Sequence, residues 1–386
     1  MSGIPLRFKI ILFFPLIKKI IGRVVRTGIG IEGNSNSILI TQYLDNNKEY
    51  SGYAGVLLEN GIESVKRSMT LPAAFGIIDS SHTLTEGDVI AIQPSGMVQV
   101  LYRRGSPHND LFVTGRCNSN CIMCSQPPTE SDNKDVLEDN LRIIELADKS
   151  TSTLGITGGE PTLLKEELLN LIAHSIHHLP RTHLHLLTNG RLLKNEVYVR
   201  RLAAVALSNI TVAVPLYSDI DNEHDYIVQT RNGFDQTVCG ILNLARYKIP
   251  IEVRIVVHKL NYLRLPQFAE FIYRNLTFTS HVALMALEPI GLASANISTL
   301  WVDPFDYRAQ LRLAIRYLAK RGMNVSVYNH QLCCVTEDIR CFCRKSISDW
   351  KVAFLPCCDS CSSKNSCGGF FISAMPKYHS SYIRPI

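Results

Sequence analysis

Between Leu111 and Leu287 the sequence alternates strand-like and helix-like runs, and this alternation limits the possible folds more than any other feature. Apolar runs of strand length fall at 111–114, 154–157, 183–188, 210–216, 251–257 and 282–287. Between them the apolar period becomes helical at 136–149, 165–176, 197–207, 234–248 and 265–275. Strands separated by helices pair in parallel, because each crossover returns the chain to the start of the next strand. The pattern predicts an α/β fold, a partial (βα)6 TIM-type barrel over residues 109–300, with ligands at the C-terminal strand ends.

Before this block, short β-like runs at 37–41, 55–58, 89–93 and 98–101, within 28–102, predict a small N-terminal β-containing domain over residues 1–108. After Gly291 come a helix near 304–321, a strand at 325–328 and a cysteine-rich tail, which together predict a C-terminal domain over 301–386. A hydrophobic content of 46% with 19% charged residues is that of a globular chain. The net charge of +6 is thinly spread, without a run of five Lys/Arg, so no nucleic-acid partner is expected. Residues 10–17 are apolar between Arg7, Lys9, Lys18 and Lys19, and read as a packed amphipathic helix or a membrane-surface contact. The run is shorter than the ~20 residues of a transmembrane span. Gly22, Arg23 and Arg26 stand where a signal-peptide cleavage site would.

Twelve cysteines are clumped: three between 117 and 124, eight between 333 and 367, and Cys239 alone. In a chain of this size with no cleavable signal, clumped thiols read as reduced metal ligands and a cytoplasmic location. The run G-R-C-N-S-N-C-I-M-C-S places Cys117, Cys121 and Cys124 after the first strand. Three thiolates on one short loop suit a 4Fe-4S cube with one iron open to a non-protein ligand, since such cubes ordinarily take four Cys. A zinc knuckle is the alternative, although a closed zinc site takes four ligands. One strand later stands Gly158-Gly159-Glu160-Pro161. The glycines permit close approach of a ligand, Glu160 offers an acceptor for an ammonium, and Pro161 stiffens the turn.

These motifs resemble the radical S-adenosylmethionine (SAM) superfamily. The resemblance implies that the cluster's open iron chelates the amino and carboxylate groups of SAM, and that reductive cleavage yields a 5′-deoxyadenosyl radical. It implies SAM contacts at Met123, where an aromatic residue is usual, and at Gly158, Gly159, Glu160 and Pro161. Asn189 and Ser218 at the third and fourth strand ends would follow, with Arg231 and Arg254 as partners for the SAM carboxylate. No catalytic residue beyond the cluster is assigned.

Cys358, Cys361 and Cys367, with Cys333 as a fourth ligand, resemble the auxiliary 4Fe-4S cluster of peptide-modifying members, with zinc as the alternative. Cys334, Cys341, Cys343 and Cys357 exceed that need. The stretches L-Y-S-D-I-D-N-E-H-D-Y-I-V-Q from Leu216, K-S-I-S-D-W-K from Lys345 and C-G-G-F-F from Cys367 resemble the maturases of His-Xaa-Ser repeat peptide systems. The implied partners are a ribosomally made peptide substrate, an electron donor such as flavodoxin or ferredoxin, and a second maturase. A small-molecule substrate and a non-catalytic iron–sulfur or zinc protein are the competing functions. Tyr217, Asp219, Asp221, His224 and Asp225 follow the fourth strand, as proton-handling or peptide-holding groups or simply as a helix-capping loop.

Overall fold

The structure is a computed structural model that describes all residues except 1–6, 27–34, 46–48, 60–69, 80–83, 131–133, 207–208, 349–350 and 376. Gly28, Leu207, and Asp349 and Trp350 of the K-S-I-S-D-W-K stretch thus lie outside the described residues. The chain divides into two compact units: Met1–Val113, Asp132–Gly155 and Asn170–His183 form one, and Thr114–Ser131, Ile156–Leu169 and Leu184–Ile386 the other.

The first unit is built on β1 (Arg7–Lys9), β2 (Ile11–Leu12), β3 (Ile20–Arg26), β4 (Ser37–Thr41), β5 (Gly55–Leu58), β6 (Ala74–Ile77), β7 (Val89–Ile92) and β8 (Met97–Tyr102). Their order is β1-β8-β7-β3-β4-β5-β6-β2. β3 to β6 pair in parallel, and the remaining pairs are antiparallel. Only Ile10 separates β1 from β2, so one stretch of chain pairs with both edges and joins them into a ring. Ile10 anchors the bend by donating its N–H to the Gly96 carbonyl at 2.8 Å. Inside lie Phe8, Val24, Ile38, Ile40, Leu57, Ile90, Ile92, Val98 and Val100. Val25, Leu39, Val56, Leu58 and Phe75, on the opposite pleat, form a second apolar cluster with Leu44 and Tyr50. Burial on both faces explains the unbroken apolar runs of β4 and β5. The amphipathic helix expected at 10–17 is corrected: the segment begins as β2 and continues as irregular chain with Leu16 buried and Ile17 97% exposed. An eight-residue apolar run is too short for its period to separate helix from strand, and the ring's open edges decide.

The second sheet comprises β9 (Asp110–Phe112), β10 (Thr153–Thr157), β11 (His183–Leu187), β12 (Ile210–Pro215), β13 (Ile251–Val257), β14 (His281–Ala286), β15 (Val325–Tyr328) and β16 (Cys343–Arg344). The strands stand in sequence order from β9 to β16, and β11 to β16 pair in parallel. Intervening helices are α1 (Lys134–Leu146), α2 (Glu166–His178), α3 (Glu196–Ala206), α4 (Asp221–Val228), α5 (Gly233–Arg246), α6 (Leu265–Asn275), α7 (Leu292–Ala295), α8 (Ile297–Leu300) and α9 (Arg308–Ala319). Strands in sequence order with helical crossovers make the expected α/β partial barrel. The expected division at 301 has no counterpart, because β15 and β16 extend the same sheet and the second unit runs from Leu184 to Ile386 without a break. Beyond β16 a small antiparallel pair, β17 (Val352–Ala353) with β18 (Phe370–Phe371), brackets a cysteine-bearing loop. Among the described residues no helix is long and apolar enough to cross a membrane.

Candidate functional site

The loop bearing Cys117, Cys121 and Cys124 leaves the C-terminal end of β9 and is fastened on several sides. Asn120 and Ile122 donate their N–H groups to Val228 and Ile227 carbonyls at the end of α4, at 3.2 and 3.0 Å. Asn296 on the other side donates to the Ile122 carbonyl at 2.9 Å, and Leu292 donates to the Cys124 carbonyl at 2.8 Å. The close approach at α7 needs Gly291, whose φ is +59° and whose Cβ would lie 2.7 Å from the Cys124 and Ser125 carbonyl oxygens. A loop with its main chain tied down presents its thiols in a fixed arrangement.

All three cysteines are free and half-buried. Burial, then the neighbouring Cys124 and Cys117 thiols, pushes Cys121 up to about 12, while Arg191 opposes. Cys117 is raised by burial and further by the Glu160 and Cys124 charges, and Cys124 is raised by burial. Three cysteines free of disulfides on one fastened loop are a donor set of the kind that holds a metal cluster. Three such donors fit a cluster that keeps one iron for a non-protein ligand.

The Gly158–Pro161 turn is where the structure departs from expectation. A Cβ on Gly158 would lie 2.5 Å from the Thr114 carbonyl oxygen, and one on Gly159 would lie 2.3 Å from that of Arg116. Gly159 and Glu160 donate their N–H groups to those same two carbonyls, each at 2.7 Å. The glycines therefore permit a close approach to the chain entering the cysteine loop. Glu160, expected to face an ammonium, is fully buried and turned inward. Its carboxylate accepts from Thr162 N–H at 2.9 Å, from the Thr162 hydroxyl, from the Thr188 hydroxyl at 2.6 Å and from Asn189 N–H at 2.6 Å. Burial raises its pKa, with those hydrogen bonds opposing. Pro161 starts the single 3-10 turn Pro161–Leu164, capped by this carboxylate.

Asn189 is brought to the cysteine loop, donating its side-chain amide to the Asn118 side-chain oxygen at 2.6 Å, with Cys117 Sγ at 4.0 Å. Met123 is 6% exposed and packs with Tyr217, Ile227, Val228, Ala293 and Leu300, so its side chain is taken up by the loop's own footing. Ser218 is buried and likewise occupied, donating to Glu223 at 2.6 Å and accepting from Ile220 N–H at 3.1 Å. Arg254 on β13 pairs with Glu252 at 3.1 Å. Arg231 is exposed before α5. After β12, Asp219 takes a two-point ion pair from Arg264, Asp225 accepts from Phe234 N–H at 2.8 Å, and His224 is buried against Tyr217. Asp221, His224 and Asp225 thus stand on helix α4 rather than on a loop, and Asp225 reaches the first turn of α5.

Arg191 carries no motif signal, yet it fastens the loop: its guanidinium donates to the Asn118 carbonyl, to the Ser119 hydroxyl at 3.0 Å and to Gln236 at 2.9 Å. Its position just past a Thr-Asn-Gly strand end reads as an ordinary turn residue, so only the fold reveals it.

A cleft of about 320 Å³, open mouth included, is lined by Cys333, Cys358, Cys361 and Cys367 together with Phe354, Phe370 and Arg384. Gln331 donates its amide to the Gly369 carbonyl at 2.8 Å, tying the Cys333 segment to the β17–β18 loop. Cys334 is fully buried, whereas Cys343 is half-buried and pushed up to about 12 by burial and by Cys367. Cys341 and Cys357 are exposed, as is Cys239 on α5.

Residues 111–272 match the family model described as the radical SAM superfamily. A probable GTP 3′,8-cyclase of Saccharolobus islandicus is 27% identical over 195 residues, 49% of this chain and 60% of its own length. The sporulation killing factor maturation protein SkfB of Bacillus subtilis is 23% identical over 254 residues, 63% of this chain and 57% of its own. These alignments thus span under two thirds of either relative. The crystal structure of Streptococcus suis SuiB bound to S-adenosylmethionine aligns with a TM-score of 0.43 at 17% identity, over 56% of this chain and 46% of SuiB.

Proposed function

Because residues 111–272 of this chain match the radical SAM superfamily model, we propose that it is an enzyme that cleaves SAM reductively at a 4Fe-4S cluster on Cys117, Cys121 and Cys124. The 5′-deoxyadenosyl radical so formed modifies a ribosomally made peptide, one with His-Xaa-Ser repeats. The observation that carries this reading is the three-thiol loop at the strand ends, tied on both flanks through its main chain. When bound, the cluster supplies the electron that breaks a sulfonium carbon–sulfur bond of SAM.

The chain's own residues do the holding. Arg191 and Asn189 fix the first half of the cysteine loop, and Glu160 locks the turn at 158–161 to that at 188–190. SAM contacts at Gly158, Gly159, Glu160 and Pro161 then run through main-chain atoms. Asn189, Ser218, Arg231 and Arg254 complete the proposed SAM set, with Met123 as a floor. Cys333, Cys358, Cys361 and Cys367 hold an auxiliary cluster, and an electron donor such as flavodoxin or ferredoxin reduces the enzyme.

The likeness to a maturation protein supports the peptide substrate. The likeness to GTP 3′,8-cyclases favours a second reading, the same chemistry on a nucleotide-sized substrate. Anaerobically reconstituted protein with SAM, reductant and either a His-Xaa-Ser repeat peptide or GTP separates them by which molecule changes mass. We expect 5′-deoxyadenosine and a modified peptide. If no 5′-deoxyadenosine forms above a Cys124→Ala control, the radical reading fails, and if GTP alone changes, the peptide reading does.

A further inference from the structure

Within the first unit, α1 and the C-terminal half of α2 bring together three metal-ligating side chains that the proposed reaction does not use. His174 and His178 lie one turn apart on α2, so both rings stand on one face, with centroids 4.2 Å apart. Glu145, near the end of α1, reaches the same point, and one ligand atom from each of the three residues lies within 4.8 Å of the others. His174 Nε2 is buried and makes no hydrogen bond. The Glu145 carboxylate oxygen it faces is 3.7 Å away. That is too long for a hydrogen bond, but near the roughly 3.4 Å separating N and O ligands on a tetrahedral ion with bonds of about 2.0 to 2.2 Å.

We propose that His174, His178 and Glu145 form a site for a divalent transition-metal ion of the zinc class, cross-linking α1 to α2. Two imidazoles and a carboxylate leave a fourth position to water and suit zinc, cobalt or nickel. The ion gives the buried His174 nitrogen the partner it lacks and holds the two tilted rings close together. Arg142 holds the other Glu145 oxygen at 3.0 Å and orients the carboxylate, as outer partners of ligands do. Two further side chains flank the site. Lys149 is engaged with the His178 carbonyl at 2.7 Å, and His177 stands edge-on to His178.

The test uses the whole chain with its seven cluster-ligand cysteines already occupied by iron–sulfur clusters, dialysed against zinc or cobalt. We expect one further equivalent of metal per chain, lost in His174→Gln/His178→Gln and kept in His177→Gln. Bound cobalt should show no thiolate-to-metal charge-transfer band. Glu145→Gln, a surface change that leaves the helices intact, should weaken binding at least tenfold and decides the matter if the double variant fails to fold. The site is overturned if no further equivalent binds, if the double variant retains it, if Glu145→Gln binds as wild type, or if the cobalt spectrum reports thiolate. The readout is metal bound, not turnover, so its failure leaves the proposed reaction standing, and the converse.

Discussion

At the scale of single residues, Glu160 and Gly159 show that a motif's residues serve the fold before they serve a ligand. The Glu160 carboxylate accepts four hydrogen bonds, two of them from main-chain N–H groups that cannot turn away. Glu160→Gln keeps the shape but puts an NH2 donor where an oxygen accepted. At least one buried donor then loses its partner, at a cost of about 1 to 3 kcal/mol. Urea unfolding of the cluster-loaded variant should show that loss, whereas equal midpoints would mean that the four bonds do not hold the turns together. Gly159→Ala acts through sterics alone, since its Cβ would press on the Arg116 carbonyl immediately before Cys117. Iron bound at the first site should fall in this variant and stay normal in Gly105→Ala, where nothing lies within 4 Å of the new methyl.

At the scale of elements, the two cysteine sets belong to separate pieces of chain, one on the loop after β9 and the other around the β17–β18 pair. Substituting Ala at Cys117, Cys121 and Cys124 together should therefore remove about half of roughly eight irons per chain. Loss of all the iron, or of none, would break the two-site assignment, and stoichiometric zinc in place of the remaining iron would reassign the second set. How legible each element was follows from its burial. β13, α6 and β15 coincide with their expected bounds, because central strands and a one-sided helix write their periods cleanly into sequence. β3 and β6 did not stand out, since their apolar runs are interrupted by Gly22 and Arg23 and by Gly76. β16 has two residues and no period at all. The cysteine loop was legible from spacing, whereas Arg191, Asn118 and Thr188 were not. Their roles arise from the meeting of loops far apart in sequence.

At the scale of the whole molecule, the buried titratable groups set how stability depends on pH. His258 and His224 are almost fully buried, and burial lowers their pKa values to about 3 and about 4. Leu260 N–H donates to His258 Nδ1 at 3.3 Å, which leaves the proton on Nε2, buried and without a partner. A histidine whose folded pKa lies below its unfolded value of about 6.5 takes up its proton first in the unfolded chain. Below pH 6.5 the unfolded state then binds more protons, so stability falls as pH falls, by about 1.4 kcal/mol per unit for each such histidine until its folded pKa is reached. Glu252, held below the usual carboxylate range by His185, His281 and Arg254 against the pull of burial, adds acid sensitivity at lower pH. Glu160, raised by burial, works in the opposite sense above pH ~4.3. The histidine part is separable by substitution: His258→Gln has no proton to gain, so its slope of unfolding free energy between pH 7 and pH 5.5 should be shallower than wild type by about 0.8 kcal/mol per unit, averaged over a window in which the unfolded histidine is only partly protonated. Urea unfolding at three pH values across that window measures both slopes. Parallel slopes would mean that His258 is already protonated in the folded protein, with an unseen partner for its Nε2 proton.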